Sequence, residues 1–343
     1  MHMADALLSP AVGATMWAAS AGTIAWCSKK VREELDERKV PLMGVLAAFI
    51  FAAQMINFTI PATGSSGHLG GGLLLAVLLG PWAAFLAIAS VLFIQALFFA
   101  DGGLLALGCN IFNLGVFPCF IAYPFIYKPL AGREPTQGRL MAAAIVAAVV
   151  GLQLGSFAVV LETVASGISA LPFGAFVALM QPIHLGIGIV EGVVSAAVIA
   201  FVWRARPEVL QSVREARPIG AVPMRNLLIG FVLATVLTGG LLSWFASEHP
   251  DGLEWSIAGV TGSAELPAAE HGVHGLLAAL QEKLAFLPDY SLPAKGGDGE
   301  GGGKFGTSLS GVVGGLITLA LCAVIGLLLK KRKRGGATGA APH

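Results

Sequence analysis

The chain has 343 residues, of which 56% are hydrophobic and 12% charged, and its formal net charge is +1. That charged share is about half of what a soluble globular domain carries. An ordinary soluble fold is therefore excluded, and so is a basic surface for nucleic acid.

The charges are also unevenly placed. Positions 41–100, 104–127 and 140–161 contain no Asp, Glu, Lys or Arg. A bilayer core takes about 20 apolar residues per helix, and backbone in lipid must satisfy its own hydrogen bonds. The alternating pattern of a membrane β-barrel is absent. The expected fold class is all-α: a polytopic membrane helix bundle of about seven crossings followed by a two-helix C-terminal unit.

In chain order, apolar segments are expected over 10–27, 42–60, 70–79, 82–100, 104–127, 140–161, 182–203, 227–245 and 309–329. The third is too short for a comfortable crossing. Gly80-Pro81 separates it from the fourth, so the pair crosses twice or dips re-entrantly. A further short piece, 171–180, lies between Pro172 and Pro182 and reads as interfacial or re-entrant. Ala14, Ala18 and Gly22 form one stripe of small residues, and Gly44, Ala48 and Ala52 another; such stripes let helices approach closely in lipid. Cys27, Cys109, Cys119 and Cys322 show no paired spacing and read as packing residues.

Lys and Arg set the orientation. Lys29, Lys30, Arg32, Arg38 and Lys39 mark the first loop as cytoplasmic, which puts the N-terminus outside. Lys128, Arg133 and Arg139, then Arg204, Arg206, Arg214 and Arg217, mark later inner loops. The run Lys330–Arg334 puts the C-terminus inside. MHMADALLSP lacks a basic leader and carries Asp5 early, so Met1 is expected to stay on the chain. The chain divides into 1–206, a polar joint 207–224, and 225–343. The outer loop of the last unit, about 246–307, is rich in acids and ends in the glycine run 296–303.

Met1-His2 is the first candidate site. A free amine, the His2 amide and the His2 ring place three nitrogens in sequence and close two small chelate rings. Ni²⁺ and Cu²⁺ favour planar nitrogen sites of this kind. His68 is the obvious fourth donor, because it falls on the same side in a Gly/Ser-rich loop where backbone can come close.

Together, MHMADALLSP, the run GSSGHLGGGLLLAVLLGP at 64–81 and PIHLGIGIVEG at 182–192 resemble the NikM/CbiM family. Its members are substrate-capturing S components of energy-coupling-factor (ECF) nickel and cobalt transporters. The resemblance implies a metal site of Met1, His2 and His68, with Ni²⁺ or Co²⁺ as transported substrate. It implies partners too: a transmembrane coupling (T) subunit and ATP-binding subunits, in the inner membrane. The form of the Gly-His-Leu-Gly-Gly-Gly loop favours nickel. It also implies that a small-residue stripe docks on the coupling subunit. EHPDGLE at 248–254 is similar to the PDGLE signature of the accessory NikN/CbiN subunit, which implies a fusion of two subunits.

Other residues keep several readings. Glu191 sits at membrane depth with His184 seven residues before it on roughly the same face. It carries protons, braces the metal site, or pairs between helices. Asp5 either orients a ligand or favours the start of the first helix. Asn110 and Asn113 read as helix–helix contacts, and His271/His274 as a surface feature. No G-x-x-x-x-G-K-[ST] occurs, so this chain is not expected to hydrolyse ATP and is not expected to be an enzyme. The rival function is a self-contained, ion-coupled transporter using Glu191, and it predicts an inverted repeat that the sequence lacks.

Overall fold

A backbone that spans lipid turns its hydrogen bonds along its own axis, and this chain does so over most of its length. The computed structural model describes residues 2–34, 39–220, 222–267, 271–292 and 303–337. Met1 and most of the 296–303 glycine run lie outside these residues.

The first unit is built from α1 (Pro10–Glu34), α2 (Lys39–Gln54), α3 (Gly72–Leu79), α4 (Pro81–Phe99), α5 (Leu107–Ala131), α6 (Gln137–Ser166) and α7 (Phe173–Ala205). A short α8 (Pro207–Arg214) follows. The second unit holds α9 (Arg225–Gly240), α10 (Gly252–Thr261), α11 (Gly272–Leu284) and α12 (Gly303–Ala337). Five of these helices are long and apolar enough to cross a membrane; the chain is a multi-pass membrane protein. A small antiparallel hairpin, β1 (Phe58–Ile60) with β2 (Ser65–Gly67), pairs Phe58 with Gly67 and Ile60 with Ser65. No hydropathy pattern marks it in advance.

The third and fourth apolar segments form an antiparallel pair. Gly71, at φ 77°, opens α3 from the Gly-rich loop. Every residue of α3 is buried, and its far end, Gly80, meets Val213 of α8. Pro81 at the first helical position then starts α4, which returns to Asp101. α3 alone covers only about 12 Å, so the extended loop before it supplies the rest of the path.

Two expectations are corrected. Residues 171–180 are not a separate re-entrant piece, because α7 runs from Phe173 straight through Pro182. The neighbouring α6 steadies that point: Gln153 Nε2 donates to the Gln181 carbonyl at 2.9 Å. α6 in turn continues past 161 to Ser166. It buries Glu162, whose Oε2 accepts from Asn113 Nδ2 at 2.8 Å.

Glycines set the tightest helix contacts. A Cβ on Gly192 would lie 2.6 Å from the Ile145 Cα, and one on Gly188 3.1 Å from the Val149 Cα, so α6 and α7 meet nearly backbone to backbone. The second unit is packed in the same way. A Cβ on Gly44 would lie 3.2 Å from the Leu319 carbonyl, and Gly239 of α9 abuts Gly311 of α12. The Gly44–Ala48–Ala52 stripe is thus covered by the second unit. The Ala14–Ala18–Gly22 stripe of α1 is exposed.

Candidate metal centre

Two histidines from distant parts of the sequence meet at the end of the bundle where α4 finishes. The His2 and His68 rings stack with centroids 4.7 Å apart and planes 22° apart.

His2 is placed by the residues that follow it. The Met3 amide donates to Asn110 Oδ1 at 2.8 Å, and the Met3 carbonyl accepts from the Gly103 amide at 2.9 Å and from Asn110 Nδ2 at 3.3 Å. Asn110 therefore serves the N-terminal segment, not a helix–helix contact as expected. Asp5 Oδ1 accepts from the Ala106 amide at 2.9 Å, and a Cβ on Gly103 would fall onto the Asp5 carboxylate. Asp5 pins the segment to the start of α5. Met3, Leu7 and Leu8 are buried behind it, so the ordered terminus rests on apolar burial as well as hydrogen bonds.

His68 is placed from below. Glu191 Oε2 accepts from the Gly70 amide and Oε1 from the Gly71 amide, both at 3.0 Å. Gln54 Nε2 donates to the Gly70 carbonyl at 2.8 Å. The Glu191 carboxylate thus sits at the N-terminus of α3, where the helix dipole favours negative charge. Of the roles left open for Glu191, the geometry is that of a strut under the His68 loop. Side chains at Gly67, Gly70 or Gly72 would strike Ile187, Glu191 or the Leu114 carbonyl. His184 does not join the cavity. It is fully buried, donates from Nδ1 to the Met180 carbonyl at 2.8 Å, and packs under Gly252.

The ring nitrogens are asymmetrically engaged. His2 Nδ1 donates to Asp101 Oδ1 at 2.7 Å, whereas His2 Nε2 is buried with no hydrogen-bond partner among the described residues. His68 Nδ1 donates to the Leu69 carbonyl at 3.1 Å, and His68 Nε2 faces Asp251 Oδ2 at 4.0 Å. Burial pushes His68 down to about 3, the charge of His2 adds to that, and Asp251 and Asp101 oppose it. Burial alone would raise Asp101, but the charge and hydrogen bond of His2, and the hydrogen bond from Tyr290, outweigh it and hold the carboxyl well below its usual range.

The second unit closes the site from above. Asp251 begins α10 with a capping box: its Oδ1 accepts from the Leu253 and Glu254 amides at 2.8 and 3.0 Å. The PDGLE turn locks onto the hairpin, as the Ser66 amide donates to the Pro250 carbonyl and Ser66 Oγ to the His249 carbonyl, both at 2.8 Å. His274, expected on the surface, is buried and donates from Nε2 to the Leu8 carbonyl at 2.8 Å. Its partner in the motif, His271, stays exposed. The cavity enclosed by these parts has a volume of about 510 Å³, and Asp5, Asp101, Asp251, Glu254, Glu265 and Asp289 are among its walls.

Sequence reasoning missed Asp101 and Tyr290. Asp101 stood only as the end of an apolar run, although a lone acid there is a visible signal. Nothing local marks Tyr290.

Residues 2–209 match the family described as cobalt uptake substrate-specific transmembrane region (CbiM), and residues 225–331 match the PDGLE domain. The fused nickel transport protein NikMN of Rhodobacter capsulatus is 31% identical over 318 residues, 85% of this chain and 88% of that one. The cobalt transport protein CbiM of Geobacter sulfurreducens is 30% identical over 79% of each chain. The crystal structure of a truncated transition metal transporter, 32% identical, superposes with a TM-score of 0.53 over 60% of this chain and 99% of that one.

Proposed function

The chain belongs to the CbiM family of metal-uptake membrane proteins, joined in one polypeptide to a PDGLE domain, and from that premise we propose that it captures nickel for an ATP-driven ECF-type uptake transporter. Cobalt is the second choice. The units divide at about 207–224, a joint that carries most of the polar residues between α7 and α9.

The observation that carries this reading is the stacking of His2 on His68, two imidazoles brought together at one end of the bundle from positions 66 residues apart in the chain. Met1 amine, His2 amide and His2 ring are three donors of a planar nitrogen set, and His68 Nε2 is the fourth. Nickel suits such a set better than cobalt does. The acidic walls of the cavity draw divalent cations toward it. The basic clusters support an outside position for this end and an inside one for the C-terminus. The ion is substrate here, and release inward is left to a coupling subunit and partner ATPases. The exposure of the Ala14–Ala18–Gly22 stripe supports a docking face there for the coupling subunit.

The rival, an ion-coupled carrier that uses Glu191, fits less well. Both Glu191 oxygens are occupied by backbone amides of the loop they support. Calorimetry with Ni²⁺ and Co²⁺, on protein with its native N-terminus, tests capture. Uptake into vesicles with and without the ATP-binding partners tests the energy source. Nickel uptake driven by a proton gradient alone would sink the ECF reading.

A further inference from the structure

We propose that Tyr290 is a positioning residue for the metal site: through Asp101 it fixes the ring of His2, so the second unit completes a site whose ligands belong to the first. The inference rests on the reading of His2 as a ligand and goes beyond it.

The contact is a chain of three side chains. Tyr290 Oη donates to Asp101 Oδ2 at 2.5 Å, and Asp101 Oδ1 accepts from His2 Nδ1 at 2.7 Å. One carboxylate is thus shared between the two units. A metal-binding histidine commonly has its other ring nitrogen held by a carboxylate, which fixes its tautomer and its angle. Asp101 is the carboxylate at hand for that role, and in this structure it holds Nδ1 itself.

The free nitrogen says how the chain operates. His2 Nε2 is buried and unpartnered among the described residues, and such a group in a native fold calls for an explanation. Small-ring chelation with the amine and amide needs Nδ1, the nitrogen that Asp101 now holds. A half-turn of the ring about its Cβ–Cγ bond exchanges Nδ1 with Cδ2, and Nε2 with Cε1. The turn moves Nε2 to the side of Asp101 and turns Nδ1 to the opposite side. Asp101 remains the partner of His2 in both settings by a small shift of Oδ1 toward Nε2, provided its other oxygen stays beside the ring.

Tyr290 is what keeps it there. Asp101 and Gly102 follow the end of α4, and Gly102, at φ 80°, passes so close that a Cβ would lie 3.2 Å from the His2 Cβ. The second unit adds to the grip on this bend. Gln281 Nε2 donates to the Ala96 and Gly102 carbonyls, both at 2.8 Å, and the Leu287 amide donates to the Phe98 carbonyl at 3.3 Å. The Tyr290 ring stacks on Phe99 with centroids 5.1 Å apart. Asp289 and Tyr290 both have positive φ, 48° and 57°, a setting that non-glycine residues hold only when their surroundings impose it. A phenylalanine would keep the stacking; only the hydroxyl reaches the carboxylate.

The test uses the full chain with its native N-terminus and Ni²⁺ as probe. Tyr290→Phe is expected to lower the thermal midpoint of the metal-free protein no more than Leu287→Ala does, yet to weaken nickel binding about tenfold and to shift the visible absorption band of the bound ion. Asp101→Asn is expected to weaken binding at least as much, and the double variant no more than Asp101→Asn alone, since the two act in series. Leu287→Ala, which loosens the same packing, should lower the midpoint and leave the band in place. Wild-type affinity and spectrum in Tyr290→Phe, or losses that multiply in the double variant, would overturn the proposal. If the unaltered protein bound no nickel, or His2→Ala bound it as well, the reading of His2 itself would fall, a result that differs from both.

Discussion

Asp251 of the PDGLE turn directs Oδ2 at His68 Nε2, 4.0 Å away, while its Oδ1 caps the helix that follows. One carboxylate therefore does two things: it starts α10, and it sets a negative charge beside an imidazole that burial keeps neutral. Asp251→Asn retains an oxygen for the cap and loses the charge. It is expected to leave the thermal midpoint close to wild type and to weaken Ni²⁺ binding about tenfold in calorimetry. Asp251→Ala removes the cap as well, costing about 1 kcal/mol of additional stability. Equal nickel affinity in all three proteins would remove Asp251 from the site.

The N-terminus is expected to be chemically indispensable. One extra residue before Met1, or acetylation of its amine, should abolish nickel binding as fully as His2→Ala does, because each removes a nitrogen from the chelate. His68→Ala should weaken binding and leave the chelate of the first two residues. The comparison is made by titration with Ni²⁺; a tagged protein that binds like the native one would place the site elsewhere.

Acid should weaken binding, and the source of the competing protons can be named. His68, held down to about 3 mainly by burial, is neutral across the physiological range and releases none. The α-amine, with an ordinary value of about 7.7–8.0, and the His2 amide must each give one up. Release of about two protons per ion is expected at pH 7, falling to about one above pH 9; calorimetry in buffers of different ionisation enthalpy measures it. The stability of the metal-free protein follows the same residue. Its folded value lies below the unfolded 6.5, so the unfolded chain binds the extra proton. That stability is fully present above about 6.5 and declines as pH falls toward 3.

Glu191→Gln separates a strut from a proton carrier. Glutamine keeps one acceptor for Gly70 and Gly71 and turns an amide against the other donor, a buried mismatch worth about 1–3 kcal/mol. The thermal midpoint and nickel affinity should fall together as the His68 loop loosens. Unchanged affinity with uncoupled uptake would instead favour the carrier.

Ala18→Trp addresses the open face of α1. The Ala14–Ala18–Gly22 stripe is exposed among the described residues, so nickel binding by the isolated protein should be unchanged. Co-purification with the coupling subunit and ATP-dependent uptake should be lost. Intact uptake would move the docking face elsewhere.

The helices were legible because hydropathy alone decides them in lipid. The path through Pro182 was not, since a proline reads as a break unless a neighbour such as Gln153 steadies it. His2 and His68 could be singled out because their chemistry is written locally, in an N-terminal chelate and a glycine-rich loop. Asp101, Tyr290 and His274 gain their meaning from contacts that span 99, 189 and 266 positions of the chain. No periodicity or motif records such a pairing. Asn110 was misread for the same reason: its partner is the backbone of Met3, not another helix.

The volume of the cavity beside the two histidines has a consequence for selectivity. A divalent ion with six inner-sphere waters displaces about 180 Å³, at roughly 30 Å³ per water, and the space available is about 510 Å³. The cavity therefore has room for an ion that keeps its water shell. With the proposed nitrogen set, discrimination falls to the ligands, because an ion must trade its waters for nitrogens and displace a proton from a peptide bond. Magnesium and calcium, which hold oxygen ligands and leave amides protonated, would visit the chamber and depart.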